Sequence, residues 1–490
     1  MVPLKPLTKS KLMRGYQCRK SLYLTVHRPE LEPPITPEQR ELFEQGNQIG
    51  ALAHREFPNG ILVKAPIFKA ELAAQETRAL LDAGHDTLFE ATFFHDGIVV
   101  RVDILHRRGA GWTIVEVKSS TRVKPEHLLD VATQWEVCTR AGLEVVAAEV
   151  MYVNRESVAP DLDGYFHRRD VTALVKALLP DIRERVAELK QVLGRPEPPD
   201  TPIGPHCVEP YECPFKAYCW RDLPKPSLFD LPGLYEQRWT LLADGHVYPL
   251  APDFPALDGV DARRLEALRT GRRWIDREAV RAATAAWGWP RRYLDFETIS
   301  SPLPVFPGTH PYEQVPFQFS CLEQDAPGAT LRERAYLHDD SGDPRPKLVG
   351  PLVEALGNSG PIFAYNMKFE EKCLEALARH FPEHAEALRA AVARLVDPLP
   401  ILRAAVYDPG FGPSFSIKSV APVLLGSRTY DELGVRDGLE AQRAFRTAVD
   451  RRTAPARRER LRQDLLEYCR KDTEEMVRLV EWLENAAREP

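Results

Sequence analysis

Residues 99–120, VVRVDILHRRGAGWTIVEVKSS, read as two strands around a short glycine-containing turn at Arg107–Gly111. Alternate side chains of a strand share a face. That alternation sets Val100, Val102 and Ile104 on one side and Arg101, Asp103 and Leu105 on the other. In the second strand Ile114, Glu116 and Lys118 share a face, opposite Val115 and Val117. Hairpin pairing can then gather Asp103, Glu116 and Lys118 on one patch. Two carboxylates and an ammonium there suit a divalent cation beside an activated water, which is what phosphodiester hydrolysis requires. A solvated sheet face carrying a cross-strand ion pair is the plainer alternative.

A chain of 490 residues has room for two or three domains. Its formal net charge of −6 argues against a protein that coats DNA, yet is compatible with a local basic cleft. The N-terminal MVPLKPLTKSKLMRGYQC lacks the apolar run of a signal peptide. No stretch approaches the roughly 20 apolar residues of a membrane span. The expectation is a cytoplasmic protein with no membrane partner. In a reducing compartment the eight cysteines are core residues or metal ligands rather than disulfide partners.

In chain order, a helix continuing past Cys18 is expected first, then a helix from Thr36-Pro-Glu-Gln to His54, with Thr36 as cap and Pro37 at the first helical position. Another helix over 66–83 precedes a strand at 88–94 and the hairpin. A helix over 127–140 carries Gln134, a strand spans 145–153, and a long helix over 170–193 stops at Gly194. The proline-rich run GRPEPPDTPIGPHCVEPYECPFKAYCW then forbids regular structure. It holds Cys207, Cys213 and Cys219 as C-x5-C-x5-C. Buried structural cysteines rarely cluster in such loops, so metal ligation is expected. A tetrahedral site needs a fourth donor, with Cys18 the natural candidate and His206 the reserve.

These residues together resemble the RecB-type branch of the PD-(D/E)XK nucleases, closest to members with an iron–sulfur cluster, such as AddB and the CRISPR-adaptation exonucleases. The resemblance covers about the first 220 residues. It implies a PD-(D/E)XK restriction-endonuclease-like α+β domain over 1–224. Asp103 and Glu116-Val-Lys118 match its acid and E-x-K motifs, Gln134 its later glutamine, and His54 an upstream histidine that can add a metal ligand. Cys18, Cys207, Cys213 and Cys219 match cysteines that hold a [4Fe-4S] cluster and staple the domain's two ends. The first gap of the trio is longer than the family's usual C-x2-C, and Zn is the alternative.

Residues 225–290 read as a helical connector with no assigned chemistry. From Arg291 a new pattern begins. RRYLDFETIS is a strand that sets Asp295 and Glu297 on one face. Two further strands, a helix and a buried strand lead into YNMKFEEKCLEALARHF, a helix with Glu370 near its start. The last helix, over 461–484, places Tyr468 and Asp472 four residues apart on one face. Acids from separate elements suit a two-ion site, and carboxylate ligands favour Mg or Mn. Residues 291–490 resemble the DEDD-superfamily 3′–5′ exonucleases of the tyrosine subtype, with a ribonuclease H-like fold. Asp295 and Glu297 match the first motif, Asn366-x-x-Phe369-Glu370 the second, and Tyr468-x3-Asp472 the third. The second motif normally ends in Asp, and Asp397 would be the substitute ligand if Glu370 does not serve. Ser416 and Lys418 could meet a phosphate; a surface lysine at a helix start is the alternative.

The leading expectation is a metal-dependent nuclease with two active sites. It would act on nucleic acid, DNA before RNA, as single strands or ends, in repair or defence. A helicase or other repair or defence partner would supply strands. The alternative is a nucleic-acid-binding module with one or both sites degenerate, or an RNA-processing exonuclease.

Overall fold

The computed structural model describes residues 6–427 and 429–488. The chain divides into two units. One holds Met1–Asp222 together with Pro302–Tyr312; the other holds Leu223–Ser301 and Glu313–Pro490. Both are mixed α and β.

The first unit is built on a seven-stranded mixed sheet. Its strands are β1 (Leu7–Thr8), β2 (Ile61–Leu62), β3 (Thr87–His95), β4 (Ile98–Arg108), β5 (Gly111–Lys118), β6 (Val145–Val153) and β7 (Phe166–Asp170). The spatial order is β2-β3-β4-β5-β6-β7, with β1 parallel to the start of β4. On one face Val100, Val102, Leu105 and Ile114 pack with Val131 and Trp135 of the Pro125–Arg140 helix and Leu189 of the Thr172–Leu193 helix. On the other, Ile104 and Val115 pack with Ala53 and Phe57.

Strict alternation along 99–105 therefore fails. Val102 and Ile104 were expected on one face and lie in opposite cores. The phase slips at Asp103, across from Glu90, whose backbone is left-handed (φ 58°). Neither residue joins the ladder that otherwise pairs β3 with β4. The β4–β5 ladder also ends at Ile104–Val115, and the Asp103 Oδ2 instead accepts the Val117 N–H at 2.7 Å. A side-chain contact has replaced a rung beside the acids.

The expected continuous first helix is split. Cys18 is extended (φ −156°, ψ 118°) and separates helices Lys9–Gln17 and Arg19–His27. The Pro37–Ala53 helix opens on the expected Thr36 cap, completed as a capping box by Gln39.

The second unit has a five-stranded sheet of order β11-β10-β9-β12-β13. Here β9 is Arg291–Ile299, β10 Val315–Gln324, β11 Arg332–Leu337, β12 Ile362–Phe363 and β13 Leu395–Val396. The first three pair antiparallel, and β12 lies parallel to both β9 and β13. Strand β9 is thus central. The Arg345–Leu356 and Lys368–His380 helices cover one face, and the long Pro455–Arg488 helix covers the other. Residues 223–290 belong to this unit and have a small core of their own around Leu228, Leu231, Leu241, Phe254 and Leu265. Within the unit β8 (Trp274–Ile275) pairs with β14 (Val406–Tyr407).

Candidate functional site

In the first unit the acidic patch lies between β5 and the Pro125–Arg140 helix. Glu116, 2% exposed, accepts Lys118 Nζ at 2.6 Å and Lys9 Nζ at 2.9 Å on Oε1, and Gln134 Nε2 at 2.6 Å on Oε2. Asp130 completes the figure. It accepts Gln134 Nε2 at 2.9 Å and Lys118 Nζ at 2.7 Å, and pairs with Lys9 at 3.0 Å. Two carboxylates are thus bridged by two ammonium groups and one amide. Burial alone would raise the Asp130 carboxyl; the Lys118 and Lys9 charges override it and hold it well below the usual range. Asp103 lacks such partners, and burial together with the Glu116 charge pushes it up to about 7.

Of the residues expected here, Glu116, Lys118 and Gln134 are in direct contact, and Asp103 is within electrostatic reach of them. His54 stacks on Phe89 at 3.8 Å between centroids, with burial lowering its pKa. It joins no three-ligand group among the described residues. Lys9 and Asp130 were missed. Asp130 stands four residues before Gln134, so a shared helix face was a readable signal. Lys9 arrives only because β1 pairs with β4.

Cys18, Cys207, Cys213 and Cys219 line one small cavity, with His206 also at its wall. All four are free thiols. Burial raises the Cys18 and Cys219 pKa values, and the neighbouring cysteines add to it. No three of these sulfurs lie mutually within 4.8 Å among the described residues. A tetrahedral zinc with Zn–S bonds of about 2.3 Å needs sulfurs about 3.8 Å apart.

In the second unit Asp295, Glu297 and Asp472 each place a carboxylate oxygen within 4.8 Å of the others, as a metal ion requires. Asp295 and Glu297 project from β9, and Asp472 from the last helix. Burial, then the Asp472 charge, pushes Asp295 well above the usual carboxylate range. Burial, then Asp295 and Asp472, does the same to Glu297. Asp472 is raised by burial to about 6, restrained by the Tyr430 hydroxyl, which donates to its Oδ1 at 2.5 Å, and by Lys418. Three carboxylates this close, with little counter-charge, could together hold a divalent cation.

Residues 292–416 match the family described as a domain of unknown function, DUF2779. That stretch contains Asp295, Glu297 and Glu370 and ends before Tyr468 and Asp472. No curated protein matches the chain. A solved chain described as "Crystal structure of SSO0001" is 12% identical over 45% of this chain and 88% of its own length, with a TM-score of 0.21.

Glu370 sits in the first turn of the Lys368–His380 helix, 3% exposed, with Oε2 unpartnered. Burial, then Asp295, raises its pKa well above the usual range. Asp397 is committed elsewhere. Its carboxylate accepts the backbone N–H groups of Asn366, Met367 and Leu399 at 3.0, 3.2 and 2.9 Å, fixing the left-handed turn at Asn366 (φ 61°). The Tyr468 hydroxyl accepts Lys418 Nζ at 2.7 Å, so Lys418 faces this site. Tyr430 was missed; it comes from a short turn with no periodic signal.

Proposed function

We propose that this chain is a metal-dependent nuclease with two active sites, a RecB-like PD-(D/E)XK site in the first unit and a DEDDy-type, ribonuclease H-like exonuclease site in the second. The observation that carries the reading is the convergence of Asp295, Glu297 and Asp472 from two distant parts of the chain, with Tyr468 beside them and Glu370 behind. Mg or Mn bound there would activate the attacking water and stabilise the leaving oxygen. The chain's own groups do the rest. Asp295, Glu297 and Asp472 hold the cations, with Glu370 the further acid within electrostatic reach. Tyr468, whose pKa burial and then Asp472 raise, stays a neutral phenol and orients water by its hydroxyl, held in place by Lys418.

In the first unit Asp103 and Glu116 would hold a cation, Lys118 would steady the attacking water, and Gln134 orients Glu116. His54, stacked on Phe89, is the least supported ligand. The four thiols that line one cavity would hold an iron–sulfur cluster, with zinc the alternative. Such a cluster would tie the start of the domain to its end. DNA is the favoured substrate.

Purified protein should shorten an end-labelled single strand only with Mg or Mn present. Resistance of DNA and RNA, single- and double-stranded, in either metal would leave the nucleic-acid-binding reading instead.

A further inference from the structure

A cleft of about 640 Å3 opens in the second unit between residues 231–238 and the 399–418 region. Its walls carry Arg238, Arg264, Arg403 and Lys418 and no acidic residue, on a chain whose net charge is −6. Arg264 is spent on structure. It donates to Asp261 Oδ1 at 2.7 Å, to the Pro232 carbonyl at 3.1 Å and to the Arg403 carbonyl at 2.5 Å, joining the two walls. Arg238 donates only to the Tyr235 carbonyl, and the exposed Arg403 side chain has no acidic partner among the described residues. Tyr235 is 70% exposed at the rim, whereas Phe415 is buried in the wall with the Arg264 guanidinium over its ring. At one end Lys418 reaches the Tyr468 hydroxyl at 2.7 Å and acts on Asp295, Glu297 and Asp472.

We infer that this cleft is a track for single-stranded nucleic acid, which carries the strand to the acidic site with phosphates on Arg238 and Arg403 and a base against Tyr235. The inference rests on the nuclease reading of that site. Cations beside an exposed aromatic ring are what single strands bind, because phosphate contacts supply affinity and every base offers a face to stack. An acidic peptide would use the cations and leave the Tyr235 ring idle. A continuous route past Lys418 would deliver a phosphodiester, not a loose nucleotide, to the carboxylates. It also assigns work to residues 223–290, which otherwise have none.

The test is photo-crosslinking of the full chain, in EDTA, to single strands of about 15 nucleotides containing 5-iodouracil, with the sites mapped by mass spectrometry. Crosslinks should fall on Tyr235. Combined Arg238→Glu and Arg403→Glu should lower their yield at least tenfold, in protein whose melting curve is unchanged. Crosslinks confined to other surfaces, or a yield indifferent to the charge reversal, would overturn the track. So would displacement of the strand by poly-glutamate as effective as by unlabelled strand, which would mark a site for acidic peptides. Crosslinks in the cleft with no cleavage in Mg or Mn would remove the nuclease reading and leave a binding track. Cleavage with crosslinks elsewhere would do the reverse.

Discussion

Asp103 and Asp472 are both carboxyls buried without enough positive charge, at about 7 and about 6 respectively, and both have pH consequences. A carboxyl whose folded pKa is raised contributes stability that is fully present below the unfolded value, near 4, and is lost as pH rises through the folded value. Metal-free protein should therefore lose stability between about pH 4 and 7. Asp103→Asn should flatten part of that decline in thermal melts, and Mn should restore stability at neutral pH by binding the folded state. A decline of equal size in Asp103→Asn would show that Asp103 does not titrate there. Lys9 gives a second prediction. Replacing it by Met leaves Glu116 and Asp130 sharing Lys118 alone, which should cost about 1–3 kcal/mol in denaturant unfolding. It should also impair cleavage that depends on Lys118. Glu116, Lys118 and Gln134 were legible because each lies on an element whose period places it, whereas Asp103 sits where the period of its strand slips. Lys9 and Tyr430 were not, because only tertiary pairing brings them in.

At the scale of elements, β9 organises the second unit and is pinned at its start. Arg291, 1% exposed, holds Glu484 of the last helix at 2.6 and 3.0 Å through both terminal nitrogens. That pair aligns the strand bearing Asp295 with the helix bearing Asp472. Glu484→Gln should destabilise by about 1–3 kcal/mol, discounted because Glu484 is partly exposed, and should weaken Mn binding measured by calorimetry. Gly360 is a stricter constraint. Its φ is +75°, and a Cβ would meet the Pro290 carbonyl oxygen at 1.8 Å. Gly360→Ala should cost more than about 2 kcal/mol. The helices and strands themselves were readable from apolar period. The break at Cys18 and the slip at Asp103 were not, since both serve side chains that must meet distant partners rather than the local repeat.

For the whole molecule, sequence order and spatial grouping part company at one place. Residues 302–312, in the loop between β9 and β10, belong to the first unit, where the Tyr165 hydroxyl donates to the Pro302 carbonyl at 2.7 Å and Ala159 N–H to Thr309 O at 3.0 Å. Four prolines in residues 302–312 mark a loop, but a loop's composition does not say which unit it joins. Among the described residues no helix is long and apolar enough to cross a membrane. The thiol cavity predicts that anaerobically purified protein is coloured, and that Cys18→Ser loses the visible absorbance and melts earlier. A colourless protein containing stoichiometric zinc would reverse the cofactor assignment. The most direct test compares wild type, Lys118→Ala, Asp295→Ala and the double variant on strands labelled at either end, with Mn present. Each single variant should lose a different set of products, and the double variant should lose all of them. Full wild-type product patterns from both single variants would contradict two acid-built sites.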